Sequence, residues 1–570
     1  MKPRPPSQSV FFSNGSLRQF QNQNWTPESL RYLLPTFTEN IKSTFLKFGD
    51  RHFVTAIGDG SAAAVDRTYS EFQVDVMTVL EKIETVSAPT ILSLGTNTYS
   101  HMVQIMATLL AGKTLALINP RETPSQIARK TAQLGAVATM TEQETSELLR
   151  ASVTPSRSAK RRKERSTPPN QIAAQVFTSG TTGYSKVVCL SAPQILSNVD
   201  ALIELHALGA TGVADVIATP LPLFHVNALF FSFLCSFFTG GRLMLFEKFD
   251  PVQFSEVIAA THADAGSKFI VSAAPTILAS LERSRRFLRP EAFARVTYFA
   301  SAASTLDPKL LRDFSAAFSK SVIQGYGLSE TVNFSTLMPT DLAKAQHDEI
   351  SIDGPYTSIG KAVRGNEIFV VRPDGSPCVA SETGELVVRG YNVMLGYLDD
   401  VQHESFRGSV FHTGDLGYFK EIADEIYFFI SGRLKDVIKR AGQTISLREV
   451  DAGLAELKLD QTDAISFSFA DPIVGEELGV ALKFSSDLED ARTKVEDSFV
   501  AQAKSVFSKD GWPRVVLCTS EELRTPSGKP LRADLKRRFE LLASHLKLSA
   551  GTENPTILVL IPDSKVQKGS

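Results

Sequence analysis

Apolar residues recur at helical spacing through TYSEFQVDVMTVLEKI (68–83), so this stretch reads as an amphipathic helix. APTILSLG (88–95) follows as a short apolar run ending in glycine, the pattern of a buried strand. HMVQIMATLLAGKTLALINP (101–120) then reads as helix, glycine stop and strand. Helix and strand alternating at this rhythm through the first 150 residues predict an α/β sheet with helices on both faces. VNALFFSFLCSFF (226–238) is an apolar run of 13 residues, against the ~20 a membrane-spanning helix needs, and a buried helix is expected there. From about residue 359 to 431 the elements shorten. NEIFVVRPDGSPC (366–378), GELVVRG (384–390) and DEIYFFISG (424–432) read as strands between Asp-Gly and Thr-Gly turns, a small β-rich layer or barrel appended to the α/β part. After Gly432 a mixed αβ rhythm runs to about residue 540.

One segment breaks the pattern. TPSRSAKRRKERSTPP (154–169) carries six basic residues between prolines and a single aliphatic side chain, Ala159. It reads as an exposed, flexible loop, with a nuclear signal or an anionic docking patch as the alternatives. The bulk numbers narrow the class. At 570 residues the chain is long enough for three or four domain-sized units, and its 43% hydrophobic and 21% charged composition is that of a soluble globular protein. A net charge of -2 lacks the basic footprint of general nucleic-acid binding. The four cysteines, Cys189, Cys235, Cys378 and Cys518, form no CxxC pair, which argues against a disulfide framework or structural zinc and for a reducing, cytoplasmic setting. They have no evident partner base and read as structural. The first residues lack the apolar run of a signal peptide, and Lys568-Gly569-Ser570 is not a peroxisomal tripeptide.

Candidate chemistry begins at VFTSGTTGYSKVV (176–188). Glycines let backbone N–H groups approach a phosphate, hydroxyls add donors, and Lys186 supplies a point charge. A Walker A loop would need GxxxxGK[ST] leading into a helix. Here Tyr184-Ser185 separate Gly183 from Lys186 and Val187-Val188 follow, so that reading fails. The stretch has companions downstream: QGYGLSET (324–331), GELVVRGYNVMLGYL (384–398), HTGDLGYF (412–419), GRLKDVIKRAGQTISLREV (432–450) and TPSGKPLR (525–532).

This ordered set resembles the adenylate-forming superfamily, which includes acyl- and aryl-CoA synthetases, adenylation domains of peptide synthetases and luciferases. The resemblance spans residues 30–540. It implies a large N-terminal domain (1–432) of two αβ-layered subdomains plus a small β-barrel. A smaller mobile α+β C-terminal domain (433–545) and a tail (546–570) would follow. It also implies a two-step reaction, in which a carboxylate attacks the α-phosphate of ATP and a thiol then displaces AMP. Such chemistry runs on positioning and charge neutralisation, so loops, Mg²⁺ and lysines matter more than a nucleophilic side chain.

By resemblance, Thr178, Ser179, Gly180, Thr181, Thr182, Gly183 and Lys186 surround the β- and γ-phosphates. Tyr326 and Gly327 belong to the nucleotide site, with Tyr326 stacking on adenine. Ser329, where most members have threonine, contacts the α-phosphate, and Glu330 helps hold Mg²⁺. Asp415 accepts the ribose hydroxyls and Arg433 contacts the same ribose. Lys529 bridges the carboxylate and α-phosphate during adenylation, Lys435 is the hinge, and Lys439 serves the thiol step beside Gly442. His225, in PLPLFHVNALFF, matches a gating position rather than a general base.

Amino-acid-activating members place an aspartate after the aromatic residue of that motif. Here Phe224 is followed by His225, so an α-ammonium would lack its anchor, and burying it unpaired would cost several kcal/mol. Asn227, Ala228, Phe230 and Phe231 suit a partly apolar pocket for a fatty, aryl or short-chain acid. The expected function is therefore an ATP-dependent, AMP-forming acid–thiol ligase, most simply with free CoA. A carrier protein's phosphopantetheine arm offers the same thiol, and a ligase loading such a carrier, even with an amino acid, is the alternative. From a different class, a nucleotide-binding regulatory protein is opposed by the retention of Lys529, Glu330 and Asp415. No His/Asp cluster has the ligand spacing of a metal-dependent hydrolase.

Overall fold

The computed structural model describes residues 37–58, 64–151, 171–178, 186–302, 304, 306–354, 356–398, 405–407, 410–434, 436–440, 443–458, 461–471, 475–485, 488–506, 512–525, 528–543, 556–560 and 566–567. The basic run 154–169 lies outside them.

The predicted helices form where the periodicity placed them. Thr68 caps the helix Tyr69–Thr85 in a reciprocal capping box with Glu71, and Phe72, Val76, Val79, Leu80 and Ile83 line its buried face. The next helix, Tyr99–Leu110, is buried at every residue except Ser100, and its polar His101, Gln104 and Thr108 find hydrogen-bond partners inside. Around them a six-stranded sheet runs in the order Gly396–Tyr397, Val187–Ser191, Ile172–Phe177, Thr114–Leu117, Thr90–Leu94, Val137–Thr141. Its last four strands are parallel, while the strands that flank residues 178–186 are antiparallel.

A second sheet carries the site. Six strands, His52–Ile57, Arg242–Phe246, Val216–Thr219, Phe269–Ala273, Tyr298–Ser301 and Val322–Tyr326, lie parallel in that order. Through Thr336–Leu337 and Tyr356–Ala362 this sheet continues into the antiparallel strands Glu425–Arg433, Val410–Ile422, Gly384–Gly390 and Asn366–Val371. The β-rich segment is thus hydrogen-bonded onto the edge of the parallel sheet, which puts the HTGD motif within reach of Tyr326.

The apolar run 226–238 is a buried helix, as expected, but it is wound as a π-helix over Asn227–Cys235. A short α-turn, Ser236–Thr239, follows and closes at Gly240 with φ 74°. Among the described residues no helix is long and apolar enough to cross a membrane.

One contiguous core reaches from Phe37 to Phe429. Residues from Ile438 onward build two further clusters, one led by Ile438, Leu447 and Val480 and the other by Ile465, Phe467 and Phe539. They cover a third sheet around Gly475–Lys483, Asp463–Asp471 and Val515–Thr519. The segment expected to be a tail adds to this sheet: Thr556–Leu560 pairs in parallel with Val515–Thr519, satisfying an edge with a β-branched apolar run.

Candidate active site

The site forms at the carboxyl ends of the parallel strands, where an open α/β sheet leaves a crevice. Tyr326 is the last residue of Val322–Tyr326, and its hydroxyl donates to Asp415 Oδ2 at 2.8 Å. Arg433 Nε donates to Asp415 Oδ1, also at 2.8 Å, and the two residues are register partners across antiparallel strands. The Asp415 backbone N–H is taken by Thr413 Oγ1. Burial pushes the Asp415 carboxyl above its usual range, while the Arg433 guanidinium and the Tyr326 hydroxyl pull it back. The charge of Asp415 in turn holds Arg433 above its ordinary value. Each carboxylate oxygen accepts one bond here and has capacity for a second. Two further hydroxyl donors on adjacent carbons match that capacity.

Gly327 follows because nothing larger fits: a Cβ there would lie 1.5 Å from the Asn333 carbonyl oxygen. The chain then makes the 3₁₀ turn Ser329–Thr331, with Ser329 and Glu330 half-buried. At Val332 the backbone adopts φ 61°, ψ −62°, and Asn333 N–H donates back to Thr331 O at 2.6 Å. This is the rare γ-turn, strained for a β-branched residue. Glu330 Oε1 accepts from the Tyr397 hydroxyl at 2.8 Å. The Lys186 ammonium lies 4.4 Å from the centre of the Tyr397 ring.

Lys186 closes the mouth of the small-residue loop. Thr178 N–H donates to Lys186 O at 2.9 Å, and Lys186 N–H to Thr178 Oγ1 at 3.2 Å. Ser179, Gly180, Thr181, Thr182 and Gly183 lie outside the described residues, as do Lys435 and Gly442.

Lys529 arrives from the other core. Its turn is pinned by Thr525 N–H to Lys529 O at 2.8 Å and by Gly528 at φ 83°. A Cβ on Gly528 would meet Thr276 Cγ2 at 2.8 Å, so the turn rests on the first residues of the helix Pro275–Ser284. Burial and the nearby Arg433 guanidinium lower the Lys529 pKa, while Glu330 and Asp415 act in the opposite sense. His225 faces the same space. It is exposed to the cleft yet surrounded by protein, and that environment, with the Lys529 and Lys130 charges, lowers it to about 4. Its imidazole is therefore neutral at physiological pH. Lys439 sits in the strand Val437–Arg440, paired with Thr444 in the C-terminal sheet.

Tyr397, Thr413 and Lys130 were not singled out in the sequence. Tyr397 stands inside the GYNVMLGYL motif and Thr413 inside HTGD, so both had a signal. Lys130 had none: it sits on the helix Pro124–Gln133, bonded to Glu122 Oε1 at 2.6 Å and 5.0 Å from the Phe177 ring centre.

The AMP-binding enzyme family model matches residues 55–398. A sulfoacetate–CoA ligase from Cupriavidus necator is 30% identical over 372 residues, 64% of this chain and 67% of that protein. ATP-bound MatB from Rhodopseudomonas palustris superposes with a TM-score of 0.70 at 22% identity, over 89% of this chain and 99% of the other. The o-succinylbenzoate CoA synthetase from Bacillus subtilis, in complex with its acyl-adenylate intermediate, gives 0.71 at 20%, over 87% and 97%. The last two share the fold. With the family model covering more than half of its length, the chain belongs to the AMP-binding enzyme family.

Proposed function

We propose that this chain activates a carboxylic acid with ATP and passes the acyl group to a thiol, most simply that of CoA. The observation that carries the reading is the meeting of Tyr326, Asp415, Glu330 and Arg433 with Lys529 from a separately cored part of the chain. The curated relative in Cupriavidus necator, a sulfoacetate–CoA ligase, supports the CoA acceptor.

In the first half-reaction a carboxylate oxygen bonds to the α-phosphorus and the α–β anhydride bond breaks, releasing pyrophosphate. Asp415 holds the ribose through its two remaining acceptor positions, Arg433 braces it, and Tyr326 presents its ring to the base. Ser329 and Lys529 meet the α-phosphate, where Lys529 offsets the charge of two anions brought together. Thr178 to Gly183 and Lys186 hold the departing phosphates. Glu330 suits Mg²⁺: one hard carboxylate oxygen stays outside the Tyr397 bond, and a magnesium ion between phosphates needs only one or two protein oxygens. That ion would neutralise the pyrophosphate leaving group. In the second half-reaction the thiol sulfur bonds to the acyl carbon, the carbon–oxygen bond to AMP breaks, and the thiol proton passes to solvent.

We infer a division near residue 432, with Lys435 as hinge and a C-terminal part that re-docks to bring Lys439 and Gly442 to the thiol. His225, neutral, gates the acyl site without supplying charge. Four buried cysteines without disulfides fit a cytoplasmic setting. The test is pyrophosphate release across a panel of acids, then thioester detection with CoA and with a carrier protein. Pyrophosphate release followed by an acyl-CoA is expected. No pyrophosphate with any acid overturns the reading, and thioester on the carrier alone replaces CoA as acceptor.

A further inference from the structure

Tyr397 stands between two opposite charges. Its hydroxyl holds Glu330 Oε1 at 2.8 Å, and its ring lies under the Lys186 ammonium at 4.4 Å. Backbone bonds fix it to both sides. Tyr397 pairs with Val188, two residues past Lys186, and Leu398 N–H donates to Val187 O at 2.9 Å. On the other side Met394 N–H donates to Glu330 O at 2.8 Å. No ion pair joins Lys186 to Glu330 among the described residues, although both reach the same side chain.

We propose that Tyr397 is a positioning residue, a spacer that keeps the phosphate-loop lysine and the metal-holding glutamate from neutralising each other before Mg·ATP binds. The inference rests on the ligase reading of the site. A direct Lys186–Glu330 pair would have to be broken by every incoming nucleotide, because the phosphates need the ammonium and the metal needs the carboxylate. The ring face gives the ammonium a resting place from which a phosphate can readily take it. The phenol occupies one lone pair of Glu330 and leaves the others for a hard cation. Strand pairing on one side and the Met394 bond on the other keep the ring in the gap.

The geometry separates two variants. Tyr397→Phe keeps the ring and loses the hydroxyl, whereas Tyr397→Leu loses both and opens the way for Lys186 to close on Glu330. Calorimetric titration with ATP, with and without Mg²⁺, reads the difference, and thermal unfolding verifies that each variant is folded. Tyr397→Phe should bind metal-free ATP within about twofold of the parent while its Mg²⁺ half-saturation shifts several-fold. Tyr397→Leu should weaken metal-free ATP about tenfold, within the range for directly coupled residues. Adding Glu330→Gln to Tyr397→Leu should restore that affinity by freeing Lys186, whereas Glu330→Gln alone should not raise it. An equal effect of Glu330→Gln in both backgrounds overturns the spacer role. If the leucine variant fails to fold, an unmoved Mg²⁺ requirement in Tyr397→Phe overturns it. A parent protein that binds no ATP under any condition overturns the ligase reading instead, and the spacer role with it.

Discussion

Lys529 illustrates how a residue that only its place after the other motifs marks in the sequence gains its chemistry from its neighbours. In TPSGKPLR it is one lysine in a turn of small residues; in the structure it faces Arg433, Glu330 and Asp415. Lys529→Ala should slow pyrophosphate release by about 10²- to 10³-fold, the usual cost of losing one aimed charge-stabilising donor, while equilibrium ATP binding persists. Pyrophosphate release near the parent rate in that variant would remove Lys529 from the first half-reaction. Its lowered pKa has a sign that can be followed. The ammonium is lost at a pH below the ordinary 10.5, so the alkaline limb of adenylation should fall earlier than a free lysine predicts. Arg433→Gln removes a like charge and should move that limb upward, whatever it does to the absolute rate. His225 works in the acid range. Its folded value of about 4 lies below the unfolded 6.5, so stability drops as pH falls through that window. His225→Gln should flatten the slope of the urea midpoint between pH 6.5 and 4. The sequence motifs named Asp415, Arg433 and Tyr326 but could not say that the phenol and the guanidinium each take one oxygen of the same carboxylate. Lys130 was illegible, because a lysine on a polar helix carries no mark of the cleft it borders.

At the scale of elements, the turn after Glu330 has the clearest signature. Val332 is fully buried, and Asn392 Nδ2 donates to Thr331 O at 2.8 Å, so packing and a side-chain bond hold a backbone that costs on the order of 1–3 kcal/mol. Glycine normally destabilises a position relative to alanine, but here it should do the reverse. Val332→Ala loses buried methyl groups and keeps the strain, whereas Val332→Gly loses slightly more side chain and relieves the strain. The unfolding midpoint of the glycine variant should lie above that of the alanine variant; the ordinary order would mean that the turn is not strained. Helices such as Tyr69–Thr85 were legible because their caps and buried faces are local. The π-winding of Asn227–Cys235 was not, since an all-apolar run has no face from which a period can be read. The strand Thr556–Leu560 escaped notice for a different reason: its pairing partner, Val515–Thr519, lies about 40 residues away.

The described residues build a main core and a separately cored C-terminal part, and the proposed nucleotide site draws on both. In this arrangement the Lys529 turn is docked on the helix at Pro275, which corresponds to the acid-activating half of the proposed cycle. Lys439 lies in the hairpin of the same C-terminal sheet. Lys439→Ala should therefore leave pyrophosphate release close to the parent and slow thioester formation from a supplied acyl-adenylate; equal losses in both steps would contradict the re-docking. The amino-acid sequence alone determined the order of the motifs, the residue types proposed to meet ATP and the alternation of helix and strand. Each of these is written in short windows, where spacing and side-chain chemistry suffice. Tertiary structure decided which charges come together, that the β-rich segment continues the parallel sheet, and that Tyr397 touches both Lys186 and Glu330. Those outcomes depend on contacts between residues far apart in the chain, 211 positions for Lys186 and Tyr397, and no local pattern encodes a distance of 4.4 Å between them.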